Sequence, residues 1–395
     1  MDNKQFIAEH LFDDVHQLAL KSIDAGVDKA FALRQIEARQ LLRKKVPSWS
    51  DNDQLLFPPH LSIEQCSSEA TALYKASLLQ GNSFVDLTGG LGIDCHFIAQ
   101  KFQIAEYVEI NDELCDLSQH NFHVLGDVVH VYHGSAEDYL AACEPVDVMF
   151  VDPARRDGYG RKVVSIADCT PNLTELQDQL LHKASKVMVK LSPMLDIRQA
   201  LNQLRHVKEV HVVAVENECK ELLFLLEAGC SDAPVFVCAN LQTQQPVVRF
   251  TETEERESIP PLTHEVYDYL YEPNAALMKA GGFKLVASRY DLFKLHRHSH
   301  LYTSSKLIDG FPGRVFKVEG WEPYHKRVKQ TLLADVTKAS IATRNFPMSV
   351  AELRKALKLA DGDEVYLFAT TLGDGQKILV RTRKNSLVTP PDSIG

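Results

Sequence analysis

Nowhere in the 395 residues is there a run of about 20 apolar residues, the length a membrane-spanning helix needs. The opening MDNKQFIAEH also lacks the basic-then-apolar order of a secretion signal. There are eight cysteines, and no two form a CxxC pair. That scatter argues against a disulfide framework and a zinc ribbon, and it places the expected compartment in the reducing cytoplasm. Internal repeats and low-complexity tracts are missing too, which excludes a solenoid. The chain instead has 45% hydrophobic and 24% charged residues, the profile of a globular protein with a sizeable core. Its length suggests two or three domains. Charge is uneven along it: residues 261–395 hold 20 basic and 14 acidic residues, whereas the rest holds 23 and 39. A basic final third beside an acidic body suits a nucleic-acid-binding appendage, and equally suits an uneven surface with no such role.

Residues 1–80 read as a helical region. Leu11, Val15 and Leu18 fall at helical spacing, and a second helix starts near Asp28. That helix carries Arg34, Arg39, Arg43, Lys44 and Lys45, suited to phosphate or to a solvated face. A third helix over 62–79 is expected from the capping-box spacing of Ser62 and Gln65. From residue 81 to 241, short β-rich runs alternate with helical ones: 84–87, 107–110, 128–132, 146–151, 186–191, 209–215 and 222–227. Alternation of this kind predicts an α/β fold with a parallel sheet, the last strand reversed because the link before it is too short for a crossover. Residues 242–335 read as linker and accessory α+β region, with a polar boundary at Gln242–Pro261. Residues 336–395 form a small α+β unit: a capping box at Ser349 and Glu352, a helix, and two strands around Gly373-Asp374-Gly375.

The most informative stretch is Phe84-Val85-Asp86-Leu87-Thr88-Gly89-Gly90-Leu91-Gly92-Ile93-Asp94. An apolar strand enters a glycine turn that opens a helix, the place where doubly wound folds bind nucleotides. A dinucleotide fingerprint needs a third glycine where Cys95 stands, which disfavours an NAD-dependent oxidoreductase. The spacing acid-x-x-x-G-x-G, from Asp86 through Gly90 to Gly92, fits S-adenosylmethionine (SAM). Glu109, 17 residues after Gly92 at the end of the next strand, suits ribose hydroxyls. The third strand leads into Gly134-Ser135-Ala136-Glu137-Asp138, suited to an adenine ring and its amine. The expected cofactor contacts are therefore Asp86, Thr88, Gly90, Gly92, Glu109, Ile110, Ser135, Ala136 and Glu137.

The fourth strand ends in Asp152-Pro153-Ala154-Arg155-Arg156. It resembles the [Asp/Asn]-Pro-Pro-[aromatic] motif of amino-methyltransferases, in which the acid and a carbonyl aim an exocyclic amine at the methyl group. Asp152 and Pro153 are the expected catalytic pair, and Arg155, Arg156 and Lys190 the expected substrate contacts. Ala154 and Arg155 replace the second proline and the aromatic, so the base-stacking platform is missing; arginine can stack on a base or clamp a phosphate, and Arg155 and Arg156 can equally pair with nearby acids such as Asp157. A competing set, Asp152, Lys190 and Glu216, approximates that of ribose 2′-O-methyltransferases, where lysine deprotonates a hydroxyl.

Taken together, Pro47–Trp49, the segment 64–69, the two motifs above and the tail 339–384 resemble a bacterial family of class I SAM-dependent methyltransferases with a C-terminal THUMP-like domain. The resemblance implies a seven-stranded Rossmann-like sheet, an N-terminal segment lying over the cofactor, and an RNA substrate. Lys284, Arg289, Lys294, His296, Arg297, His298 and His300 interleave with Tyr290, Phe293 and Tyr302, a composition suited to RNA. The three histidines would share one face of a strand, but no nearby cysteine or acid completes a site, so no metal is expected. The readings left open are an RNA N-methyltransferase, a ribose 2′-O-methyltransferase using Lys190, and a non-catalytic RNA-binding protein on a SAM fold.

Overall fold

The computed structural model describes residues 2–21, 26–155 and 166–384. The chain divides into two compact units, Met1–Val210 with Lys220–Ala233, and His211–Cys219 with Pro234–Gly395. No described helix is long and apolar enough to cross a membrane.

In the first unit, strands β1 (Ser83–Asp86), β2 (Ile104–Glu109), β3 (Val129–His133), β4 (Val146–Val151) and β5 (Ala184–Leu191) are parallel. β6 (Val207–Val215) and β7 (Glu218–Glu227) follow, with β7 antiparallel to β5. The spatial order β3-β2-β1-β4-β5-β7-β6 puts the crevice where connections reverse direction, at the carboxyl ends of β1 and β4. Val85, Val148, Met149, Val187, Met188 and Val189 are buried because helices cover both faces of the sheet, which explains their nearly unbroken apolar runs. The link from β6 to β7 is a tight turn in which Glu216 and Asn217 both have positive φ. All seven expected strands are present, with boundaries that differ by no more than four residues.

Before the sheet come helices α1 (Asn3–Glu9), α2 (Val15–Leu20), α3 (Lys29–Lys45), α4 (Pro47–Ser50), α5 (His60–Gln65) and α6 (Glu69–Leu78). The helix expected over 62–79 is in fact two. Cys66 is extended at the end of α5, and Ser68, rather than Ser62, caps the next helix by accepting from the Thr71 N–H. Arg39 of α3 faces inward, not toward phosphate: it is buried and donates to the carbonyls of Ser50, Asn52, Asp53 and Leu55. The amide groups of Gln35 and Asn121 bond the backbone of Phe57 and Leu56, pinning the connector 51–59 as a strand partner would.

The second unit contains β8 (Val235–Leu241) paired antiparallel with β9 (Val248–Thr251), and a separate seven-stranded sheet. The segment 242–261 therefore holds a strand, and also a helix, Glu252–Glu257, whose Thr251–Glu254 capping box escaped the sequence reading. In the larger sheet Tyr269–Pro273, Gly313–Pro323, Lys377–Lys384 and Tyr366–Thr371 are successive antiparallel neighbours, and Ser340–Thr343 adds in parallel at the edge. Both faces are packed, one around Leu353, Leu357 and Leu367, the other around Leu270, Phe316 and Phe368. The expected capping box at Ser349 and Glu352 is present.

Trp49, part of the stretch that carries the family resemblance, is fully buried with its ring edge-on to His96. Its indole N–H meets no acceptor among the described residues. Trp49→Phe removes that unpaired donor along with some volume. The expected change in unfolding free energy is below about 1.5 kcal/mol. Trp49→Ala is expected to cost about 3–5 kcal/mol in the same denaturant titration, since it leaves a cavity.

Candidate functional site

The glycine turn is built by its neighbours. Leu87 N–H donates to the Phe150 carbonyl and Gly89 N–H to that of Val108, both near 3 Å, so the turn is stitched to β4 and β2. Gly90 and Gly92 have φ of +57° and +81°, the left-handed region where a side chain is strained. Gly89 is fixed for a different reason: a Cβ there would lie 2.1 Å from the Tyr107 ring. A Cβ on Gly90 meets nothing nearer than the Thr88 carbonyl at 3.7 Å, so the turn presents open backbone to a ligand. Gly92 ends the turn as the N-cap of helix α7 (Ile93–Ala99).

Three successive strand ends are drawn together around this turn. Glu109 accepts from Gly90 N–H and Asn111 N–H, each at 2.9 Å, which leaves about half of its carboxylate lone pairs for a ligand's hydroxyls. Gly134 N–H donates to the Glu109 carbonyl at 3.0 Å, so the Ser135–Glu137 turn borders the end of β2. Ser135 caps the helix Ala136–Ala142 and hydrogen-bonds Asp138; Ala136 is buried, while Ile110 and Glu137 are exposed. Asp86 lies beneath the turn, buried, and accepts from Thr88 N–H at 3.0 Å. Burial pushes its carboxyl well above the usual carboxylate range, and the charges of Asp94, Asp152 and Glu109 push it further.

The Asp152-Pro153 corner at the end of β4 is tied to the same turn, because Asp152 N–H donates to Thr88 Oγ1 at 2.6 Å. Lys190, at the end of β5, donates to Asp152 Oδ2 at 2.5 Å. Pro153 is buried and Asp152 half-buried. The backbone of Ala154–Arg155 pairs with Cys169–Thr170 in a two-residue ribbon. The Arg155 side chain and all of Arg156 fall outside what is described.

Four residues of this site were not singled out as site residues by the sequence. Lys190 also reaches Ser67 Oγ at 3.0 Å and lies 3.5 Å from Asp94 Oδ2. Ser67 donates to Asp94 Oδ2 at 2.6 Å, and Lys75, with no exposed surface, lies 3.1 Å from Asp94 Oδ1. Lys75 donates to both carboxylate oxygens of Glu221 at 2.8 Å. The result is an alternating ladder, Glu221–Lys75–Asp94–Lys190–Asp152. Burial alone would raise Asp94, but the two ammonium groups overcome it and hold Asp94 below its ordinary value. Glu221 stays raised because burial outweighs its attraction to Lys75. Lys190 shows the reverse balance: burial lowers it, and Asp152, Asp94 and Glu221 together push it above its ordinary value. Glu216, offered by the sequence as the third member beside Lys190, is instead an exposed turn residue, and the acids that face Lys190 are Asp152 and Asp94.

The C-terminal basic and aromatic cluster is divided: Lys284, Arg289, Phe293, Arg297 and His298 are exposed, Tyr290, His296 and His300 are half-buried, and two members are interior. Lys294 and Tyr302 are buried, both donating to the Phe283 carbonyl, and burial lowers Lys294 to about 8. His300 stacks on Phe283 at 3.8 Å, and Arg289 pairs with Glu254. Residues 295–300 form a turn rather than a strand, so the three histidines do not share a strand face.

The ladder has an energetic consequence. Lys75→Met strands two buried carboxylates and is expected to cost about 3–5 kcal/mol in denaturant unfolding. The paired change Lys75→Met with Glu221→Leu is expected to recover most of that loss. Equal losses in the two proteins would show that the ion pair is not what the buried groups depend on.

Residues 269–312 match a domain family described as a ferredoxin-like domain, and residues 313–384 one described as THUMP domain-like. No curated protein matches the chain. Among solved structures, a candidate methyltransferase from Porphyromonas gingivalis W83 is 39% identical, with a TM-score of 0.88. The alignment covers 97% of this chain and 98% of that one. TrmK from M. capricolum, solved with S-adenosylhomocysteine, is 12% identical over 40% of this chain and 68% of its own, TM-score 0.32. A Pyrococcus abyssi tRNA (uracil-54, C5)-methyltransferase, also solved with S-adenosylhomocysteine, is 14% identical over 44% of this chain and 41% of its own, TM-score 0.30. Likenesses this weak add nothing to the argument, whereas the Porphyromonas match runs nearly end to end. With it and the THUMP-like match, the chain belongs to the bacterial family of class I methyltransferase-fold proteins that carry a C-terminal THUMP-like domain.

Proposed function

We propose that this protein is a SAM-dependent methyltransferase that methylates a nitrogen of an RNA base. The observation that carries the reading is the setting of Asp152, its N–H on Thr88 of the glycine turn and its carboxylate on Lys190. One hydrogen bond thus links the proposed cofactor turn to the proposed acceptor corner. The glycine turn fits an adenosyl group because its backbone is open at Gly90 and the Glu109 carboxylate keeps accepting capacity. In this reading Glu109 takes the ribose hydroxyls, Ile110, Ser135, Ala136 and Glu137 border the base, and Asp86 braces the turn from below. When bound, SAM supplies an electrophilic methyl group on a sulfonium.

The chain's own residues then do the aiming. With Asp152 Oδ2 held by Lys190, Oδ1 is left to accept from an acceptor amine, and the Pro153 carbonyl offers a second acceptor. Two such bonds fix the nitrogen lone pair along the line of displacement, the geometry that lowers the entropy cost of transfer. The methylated nitrogen releases its proton to solvent past the half-exposed Asp152. The ribose 2′-O alternative needs a neutral Lys190 as base. An ammonium enclosed by Asp152 and Asp94, and pushed above its ordinary value, has no lone pair to offer, so the amine reading is favoured. We assign recruitment of the RNA to the THUMP-like unit and substrate contact to Arg155 and Arg156.

The test is transfer of labelled methyl from SAM to RNA, DNA and protein pools taken from a strain lacking this protein. Label is expected in RNA alone, falling by at least about 100-fold with Asp152→Ala. Label in protein or DNA would overturn the acceptor. No label in any pool, with SAM bound, would favour a binding role.

A further inference from the structure

The charge count of the ladder goes further. Glu221, Asp94 and Asp152 carry three negative charges and Lys75 and Lys190 two positive ones, and the alternation ends at Asp152. Asp152 is also the only member of the five that is more than slightly exposed, with 37% of its side chain accessible against 12% or less for the others. The surplus negative charge therefore lies at the open end, on the side of the acceptor. A second observation agrees. Among the described residues, the charges that act most strongly on buried Asp86, beneath the glycine turn, are carboxylates: Asp94, Asp152 and Glu109. Around the turn the described carboxylates outnumber the ammonium groups, Lys75 lying between Glu221 and Asp94 and Lys190 between Asp94 and Asp152.

We propose that this surplus charge makes the site select the cationic sulfonium cofactor over its neutral thioether product. The inference rests on the cofactor reading above. If Asp152 aims an amine at the methyl carbon, hydrogen bond and approach distance are each roughly 3 Å, so the carboxylate stands close enough to the sulfur for Coulomb attraction in a half-buried site. Transfer leaves the electron pair of the broken S–C bond on sulfur and removes the positive charge. The adenosyl and amino-acid contacts are unchanged by the reaction, so the difference in affinity reports the field at the sulfur position. Asp152 then has a second role besides aiming the acceptor: it favours release of the spent cofactor.

Calorimetric titration of the full chain with three near-isosteric ligands tests this: SAM, S-adenosylhomocysteine, and sinefungin, in which a carbon-borne ammonium stands at the sulfonium position. Wild-type protein is expected to bind SAM and sinefungin at least about fivefold tighter than S-adenosylhomocysteine. Asp152→Asn, near-isosteric and uncharged, is expected to bring the three affinities within about twofold by weakening only the cationic ligands. Glu221→Gln removes the same charge from the buried end; if it folds, the preference is expected to survive, separating the position of the charge from its total. Equal or tighter binding of the thioether by wild type, or a preference unchanged in Asp152→Asn, would overturn the inference while leaving the cofactor reading intact. Failure of all three ligands to bind wild type would overturn both.

Discussion

Two ammonium groups and three carboxylates hold the Asp152-Pro153 corner of the first unit in place, and they come from five separate elements. Lys75 is on the helix before the sheet, Glu221 on β7, Asp94 in the first turn of the helix after the glycines, and Lys190 and Asp152 at the ends of β5 and β4. Each charge is tolerable inside only because its neighbour is opposite in sign and within hydrogen-bonding reach. Ser67 completes the set, its hydroxyl next to both ammonium groups and its proton on Asp94. The N-terminal helical region is therefore part of the site, since without Ser67 and Lys75 the inner end of the ladder has no partner.

This dependence explains an apparent excess of conflict in the motif. Asp86, Asp94, Asp152 and Glu109 crowd around one glycine turn, and like charges so close would normally repel. The crowding is resolved differently at each residue. Asp86 is pushed toward its neutral form, Asp94 is neutralised from both sides, and Glu109 bonds backbone N–H groups. Asp152 keeps a half-exposed carboxylate, and it stands where acceptor chemistry would need one.

Much of this was legible in the sequence because it is local. The glycine turn, the acid that ends β2 and the Asp-Pro corner are contiguous signals, and strand periodicity located the seven strands β1 to β7. What stayed hidden depends on pairing across the chain. Lys75 sits on a helix with ordinary spacing and Glu221 opens an apolar strand run, and nothing local says that residues 146 positions apart share a salt bridge. Glu216 was the plausible third acid by position at a strand end, but the link to β7 is so short that Glu216 had to enter the turn, with φ near +49°. The interior place of Lys294 in the second unit stayed hidden for a related reason. Composition cannot distinguish an exposed lysine from Lys294, which is buried with its ammonium over the rings of Phe283 and Tyr302.

The most direct measurement of the central claim is a crystal structure of the full chain with S-adenosylhomocysteine. The account predicts the adenosyl group over Gly90, both ribose hydroxyls on the Glu109 carboxylate, and the thioether sulfur facing Asp152 with Lys190 still bonded to it. A ligand bound elsewhere, or one that leaves Glu109 untouched and points its sulfur away from Asp152, would contradict it.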